Sequence, residues 1–164
     1  MKKAFALILA LVALFSYSAL ADLVEAVEFV DVVFEDGFQV SLPSDWYQVE
    51  LNEENYANGI FYAACAPDMM STMQISWTAA ETELTIADLK LGLEAGGFVE
   101  IQEYEVNGIS FVGFNDAEMS VAAYAALDAT EPGYYTFWFT CENPDDAFVE
   151  TATRIVTSIY NVEL

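Results

Sequence analysis

Apolar and polar residues alternate with a period of two over residues 72–79. Met73, Ile75, Trp77 and Ala79 fall on one side, Thr72, Gln74, Ser76 and Thr78 on the other, the pattern of a half-buried strand. Shorter apolar runs predict strands over residues 31–34, 38–42 and 60–66. The first two flank Glu35-Asp36-Gly37, and Asp-Gly is a strong hairpin signal. Pro43 ends the second, because proline has no N–H to give a ladder, and Pro67-Asp68 turns the chain after the third. Further strands are predicted over residues 98–106 and 109–114 around Asn107-Gly108, and over residues 119–127 and 134–141 around Glu131-Pro132-Gly133.

The period changes twice. From residue 85 to 95, Ile86, Leu89 and Leu93 form one stripe at helical spacing. Thr85 and Asp88 stand in capping-box positions, and Gly96-Gly97 stops the helix. A second helix is predicted over residues 144–160. It has Asn143 as N-cap, Pro144 at the first position, Asp145 and Asp146 in the first turn, and Phe148, Ala152, Ile155 and Ile159 inward. Residues 119–127 are apolar on both faces: Met119, Val121, Ala123, Ala125 and Leu127 on one, Ala122, Tyr124 and Ala126 on the other. Such a strand is central and covered on both sides. The prediction is therefore an α+β fold, a mainly antiparallel sheet covered by two helices in an α/β/α sandwich. No repeat, low-complexity stretch or linker divides it.

The N-terminus reads as an address. Lys2 and Lys3 precede 12 uncharged apolar residues, Ala4 to Phe15, and Ala19-Leu20-Ala21 offers small residues for cleavage before Asp22. That core suits a signal peptide and is short of the ~20 residues that span a bilayer. The layout is of the bacterial kind, implying a secreted or extracytoplasmic protein with residues 22–164 as one domain. No later segment is apolar enough to span a membrane.

Charge then narrows the function. The 164 residues hold 27 acids, 4 bases and no histidine, a net −23. Cleavage before Asp22 leaves Lys90 and Arg154 alone against the 27 acids, a net −25. Nucleic-acid phosphates are excluded as partners, since binding them requires Lys and Arg to displace counterions. Without histidine there is no Ser-His-Asp or Cys-His catalysis and no His-ligated zinc. The 12 Phe, 9 Tyr and 3 Trp argue for a packed core despite the charge. In an oxidising exported setting, Cys65 and Cys141 suggest one disulfide, the alternative being two buried thiols.

Three segments resemble one family. Phe38-Gln39-Val40-Ser41-Leu42-Pro43-Ser44-Asp45-Trp46 resembles the entry signature of the PsbP-like α/β/α sandwich, the fold of a photosystem II extrinsic subunit and of small exported bacterial proteins. Gly133-Tyr134-Tyr135-Thr136-Phe137-Trp138-Phe139 resembles its late strand, and Ile155-Val156-Thr157-Ser158-Ile159 its closing helix. The resemblance covers roughly residues 31–160. It implies the fold and an accessory role, docking on partner proteins, sometimes with metal ions. The metal ligands of the photosynthetic members have no match here.

Candidate chemistry is sparse. Trp46, Tyr47 and Tyr56 bracket an acidic segment that includes Glu53 and Glu54. Aromatics beside acids can hold a cation, an amine or a sugar, although Trp46 also suits a core anchor after its strand. Trp77 and Trp138 read as core or sheet-face residues. Residues 50–55 and 142–146 are dense in acidic oxygens, the donors calcium takes, but neither has EF-hand spacing. The first reads as a solvated loop, the second as a helix cap. The leading expectation is a non-catalytic exported protein, without a cofactor, whose acidic surface meets a cationic protein or a cell-envelope component. The alternatives are a carboxylate-based hydrolase of carbohydrate, which requires two facing acids with a raised pKa, and a calcium-binding domain.

Overall fold

The computed structural model describes residues 28–34, 37–116, 121–142 and 144–161. The expected signal peptide, its cleavage site, Asp36, Met119 and Asn143 lie outside the described residues. Among the described residues, ten strands and three helices follow in order: β1 (Phe29–Phe34), β2 (Phe38–Pro43), β3 (Tyr47–Gln48), α1 (Glu53–Ala57), β4 (Ile60–Cys65), β5 (Ser71–Ala79), α2 (Ile86–Ala95), β6 (Val99–Val106), β7 (Ile109–Asn115), β8 (Val121–Leu127), β9 (Gly133–Cys141), α3 (Asp146–Thr157) and β10 (Tyr160–Asn161). This is an α+β architecture with antiparallel pairing throughout.

The strands form two sheets rather than one. The larger has seven strands in the order β3-β4-β5-β9-β8-β7-β6, the smaller three in the order β1-β2-β10. Strands β8 and β9 lie inside the large sheet, and both of its faces are covered. On one face, Leu89 and Leu93 of α2 bury against Val112, Phe114, Ala123 and Ala125. On the other, Val40 and Leu42 of β2 with Ala152, Ile155 and Val156 of α3 bury against Met73, Phe111, Tyr124 and Phe137. Two helices cover two faces as expected, but the second shares its face with the small sheet.

Local chemistry sets the ends. The Thr85 hydroxyl accepts from Asp88 N at 3.2 Å while the Asp88 carboxylate accepts from Thr85 N at 2.9 Å, the reciprocal capping box predicted for α2. Helix α3 starts later than predicted, because Asp145 takes the cap and accepts from Phe148 N at 2.9 Å. It also stops at Thr157, so Tyr160 and Asn161 are free to pair with β2. Asn107 (φ 52°) and Gly108 (φ 78°) make the tight turn between β6 and β7. The Asn107 amide also donates to Thr157 O at 3.0 Å and Ile159 O at 2.9 Å, tying the end of α3 to that turn. Strand β6 is an outer strand carrying Glu100, Glu103 and Glu105, and its register slips between Val99 and Gln102, where Glu100 has φ 57°.

The expected disulfide is corrected: Cys65 and Cys141 are both buried free thiols. Cys65 pairs with Thr72 and Cys141 with Ser71, so the two lie on opposite sides of β5. Two strand spacings put their Cα atoms roughly 10 Å apart, beyond the ~7 Å a disulfide spans. Paired residues also share a sheet face, and Ser71 and Thr72 are consecutive, so the two thiols point to opposite faces.

Candidate functional site

The residues proposed from sequence do not converge. Glu53, Glu54 and Tyr56 lie on α1, a five-residue helix with no buried side chain, where a loop was expected. Asn52 caps it, accepting from Asn55 N at 2.9 Å. Tyr56 is 60% exposed. Tyr47 is exposed on β3, where its hydroxyl donates to Met69 Sδ, and contact with the Cys65 thiol raises its phenol. Trp46 is half-buried and packs against the main core, as an anchor after β2 should. Beside it lies an open hollow of about 380 Å³ that also meets Asp45, Asp68 and Asp145. Two of these acids already have partners. Asp68 accepts from Met70 N, Ser71 N and the Ser71 hydroxyl at 2.8–2.9 Å, and Asp145 caps α3.

Trp138 is a sheet-face residue as read. Its indole donates to the Ser76 hydroxyl at 3.0 Å and its ring stands edge-on to Phe114. Trp77 is a sheet-face residue too. It is half-buried on β5, opposite Tyr135 of β9, and lines a hollow of about 370 Å³ with Gly59, Phe61, Tyr135, Asp128, Thr130 and Glu131. Close packing at Gly59 shapes its floor. Gly59 has φ 76°, and a Cβ there would stand 2.3 Å from Trp77 O.

Asp128 organises the loop at the rim. One carboxylate oxygen accepts from Trp77 Nε1 at 3.1 Å. The other accepts from Thr130 N and Oγ1, both at 2.8 Å, and from Glu131 N at 3.3 Å. Burial alone would raise the Asp128 carboxyl, but the bonds from Thr130, Glu131 and Trp77 together outweigh it and hold the group below its ordinary value. The loop therefore presents a fixed negative charge beside aromatic faces.

The same loop borders a second hollow of about 280 Å³ between the two sheets. Its walls are Phe38, Ile109, Phe111, Ala126, Phe137 and Ile159, and it shares Asp128, Thr130 and Tyr135 with the aromatic hollow. Sequence reasoning missed this place because its residues come from β2, β7, β8, β9 and β10 and the segments that connect them, with no motif between them. The Asp128-Ala-Thr130 spacing, an Asx-type turn, was the one local cue.

Among the described residues, no group of three or more Asp, Glu or Cys side chains is placed to hold a metal ion, and no helix is long and apolar enough to cross a membrane. The two basic side chains among the described residues lie on other elements: Lys90 pairs with Glu103 at 2.8 Å, and the Arg154 guanidinium lies 3.8 Å above the Phe29 ring.

No family model and no curated protein matches the chain. A crystal structure of a protein from Bacteroides thetaiotaomicron is similar, with a TM-score of 0.52 at 11% identity over 81% of this chain and 48% of the other. The chain thus spans about half the length of that protein. A likeness of this kind shows a shared fold alone.

Proposed function

We propose that this chain is an exported, non-catalytic binding or accessory protein of the PsbP-like sandwich class, whose acidic surface docks on a cationic protein or cell-envelope component. The observation that carries this reading is the charge balance, 27 acids against 4 bases with no histidine. Asp68, Asp88 and Asp128 are all held below the ordinary carboxylate value by hydrogen bonds from their own loops and caps, and so stay charged. A carboxylate hydrolase needs the opposite, one acid raised by burial or by a facing acid. Only one ion pair forms among the described residues, which leaves most of the acidic coat available to a partner. The three segments that resemble the family fall on β2 with its following turn, on β9, and on the end of α3, the elements that build the main core.

The test is capture from envelope extract on the immobilised protein across a salt series. A basic component retained at low salt and released as salt rises is the expected result, because exposed charges are screened beyond a Debye length of about 10 Å at 0.1 M. Retention of nothing basic at low salt, or turnover of a carbohydrate by the purified protein, would overturn the proposal.

A further inference from the structure

The two hollows that meet at the Asp128–Glu131 loop differ in chemistry, and the difference specifies a ligand. The outer one offers the rings of Phe61, Trp77 and Tyr135 beside the carboxylates of Asp128 and Glu131. Aromatic faces carry negative potential and hold quaternary or protonated amines, more strongly where a carboxylate adds its charge. The inner one, between the sheets, is walled by phenylalanine, isoleucine and alanine side chains, and an apolar chain gains about 0.8 kcal/mol per CH₂ buried. Asp128, Thr130 and Tyr135 border both, so the two hollows adjoin at this loop. The net charge of −23 attracts cations and repels anions at long range.

We propose that this junction binds a small cationic amphiphile, its amine head among Trp77, Phe61, Tyr135 and Glu131, its aliphatic tail between the sheets against Phe111, Ala126 and Phe137. The site is separate from the acidic coat that docks a partner, and either can fail without the other.

Calorimetric titration of the purified protein below the micellar range tests it, with three probes: octyltrimethylammonium, tetramethylammonium (head alone) and octanoate (tail with the wrong charge). Octyltrimethylammonium should bind one per chain, at least tenfold tighter than either comparison. Glu131→Gln, on an exposed loop, should weaken octyltrimethylammonium and tetramethylammonium alike by about threefold to tenfold. Ala126→Leu, which fills the inner hollow, should weaken only the octyl compound. Should Ala126→Leu not fold, as judged by its thermal melt, a chain-length series from butyl to decyl on the parent protein replaces it, and affinity should rise with each methylene until the hollow is full. Equal affinity for octanoate, several weak sites per chain, no saturable binding, or insensitivity to chain length and to Glu131→Gln would overturn the proposal.

Discussion

Replacing Asp128 with alanine removes four hydrogen bonds from one side chain. Their loss is unequal. Thr130 and Glu131 are exposed, so their donors return to water at small cost. The indole N–H of half-buried Trp77 loses a charged acceptor with little water to replace it. Hydrogen bonds to a charged group contribute about 1.5–3 kcal/mol, and those whose donors rehydrate much less, so Asp128→Ala should lose roughly 2–4 kcal/mol. Asp128→Asn keeps an oxygen for the loop and should lose about 1 kcal/mol. The measurement is urea unfolding with an unchanged m-value. The effect also has a pH signature. The folded-state pKa of Asp128 lies below its ordinary value, so its contribution is present above the unfolded pKa and lost as pH falls through the folded one. Asp128→Asn should therefore show a shallower loss of stability on the acid side than the parent protein. An alanine variant within about 0.5 kcal/mol of the parent at neutral pH, inside the range of ordinary surface changes, would refute the reasoning.

Three further outcomes follow from packing and polarity. The Tyr124 hydroxyl is buried among the core rings without a hydrogen-bond partner among the described residues, and burial raises its phenol far above the ordinary value. Tyr124→Phe should leave stability unchanged or raise it by up to about 1 kcal/mol, since an unsatisfied buried group costs about 1–3 kcal/mol; a loss above 1 kcal/mol in urea unfolding would contradict this. Asn107→Asp keeps a residue tolerant of positive φ but sets a carboxylate against two carbonyl oxygens that now accept from its amide; a loss of about 1–3 kcal/mol is expected, visible as a lower melting temperature. Thiol titration of the denatured, unreduced protein should find two free thiols, Cys65 and Cys141, and reductant should leave the melting temperature in place; one bond and no free thiol would overturn the pairing geometry.

Where a side chain's role is local, the sequence carried it well. The Thr85–Asp88 box, the Asn107-Gly108 turn and the two-sided apolar run that becomes β8 all rest on neighbours within a few residues, and each stands where the pattern put it. Asn52 to Ala57 escaped because α1 buries no residue and so leaves no apolar stripe to read. Strands β3 and β10, two residues each, are too short to show a period. The division into two sheets depends on β2 pairing with β10, residues more than a hundred positions apart, which no local pattern encodes. The cysteines failed for the same reason: parity and compartment suggest a bond, but only the order of β4, β5 and β9 decides whether the sulfurs can meet. At the candidate site, Trp77 reads as one more apolar position in an alternating strand. Its contact with Asp128, 51 residues away, sets it apart.

The glutamates of the outer strand β6 have a further role. Glu103 and Glu105 are exposed along an edge with unsatisfied backbone groups, and the slip at Glu100 breaks the straight ladder another chain would need. Open edges of this kind are templates for aggregation, and charge with a bulge is how folded proteins blunt them. The opposite edge, β3, is only two residues long. Replacing those glutamates with neutral residues would therefore remove a barrier between molecules as well as charge within one, and the folded chain would become prone to stack edge to edge.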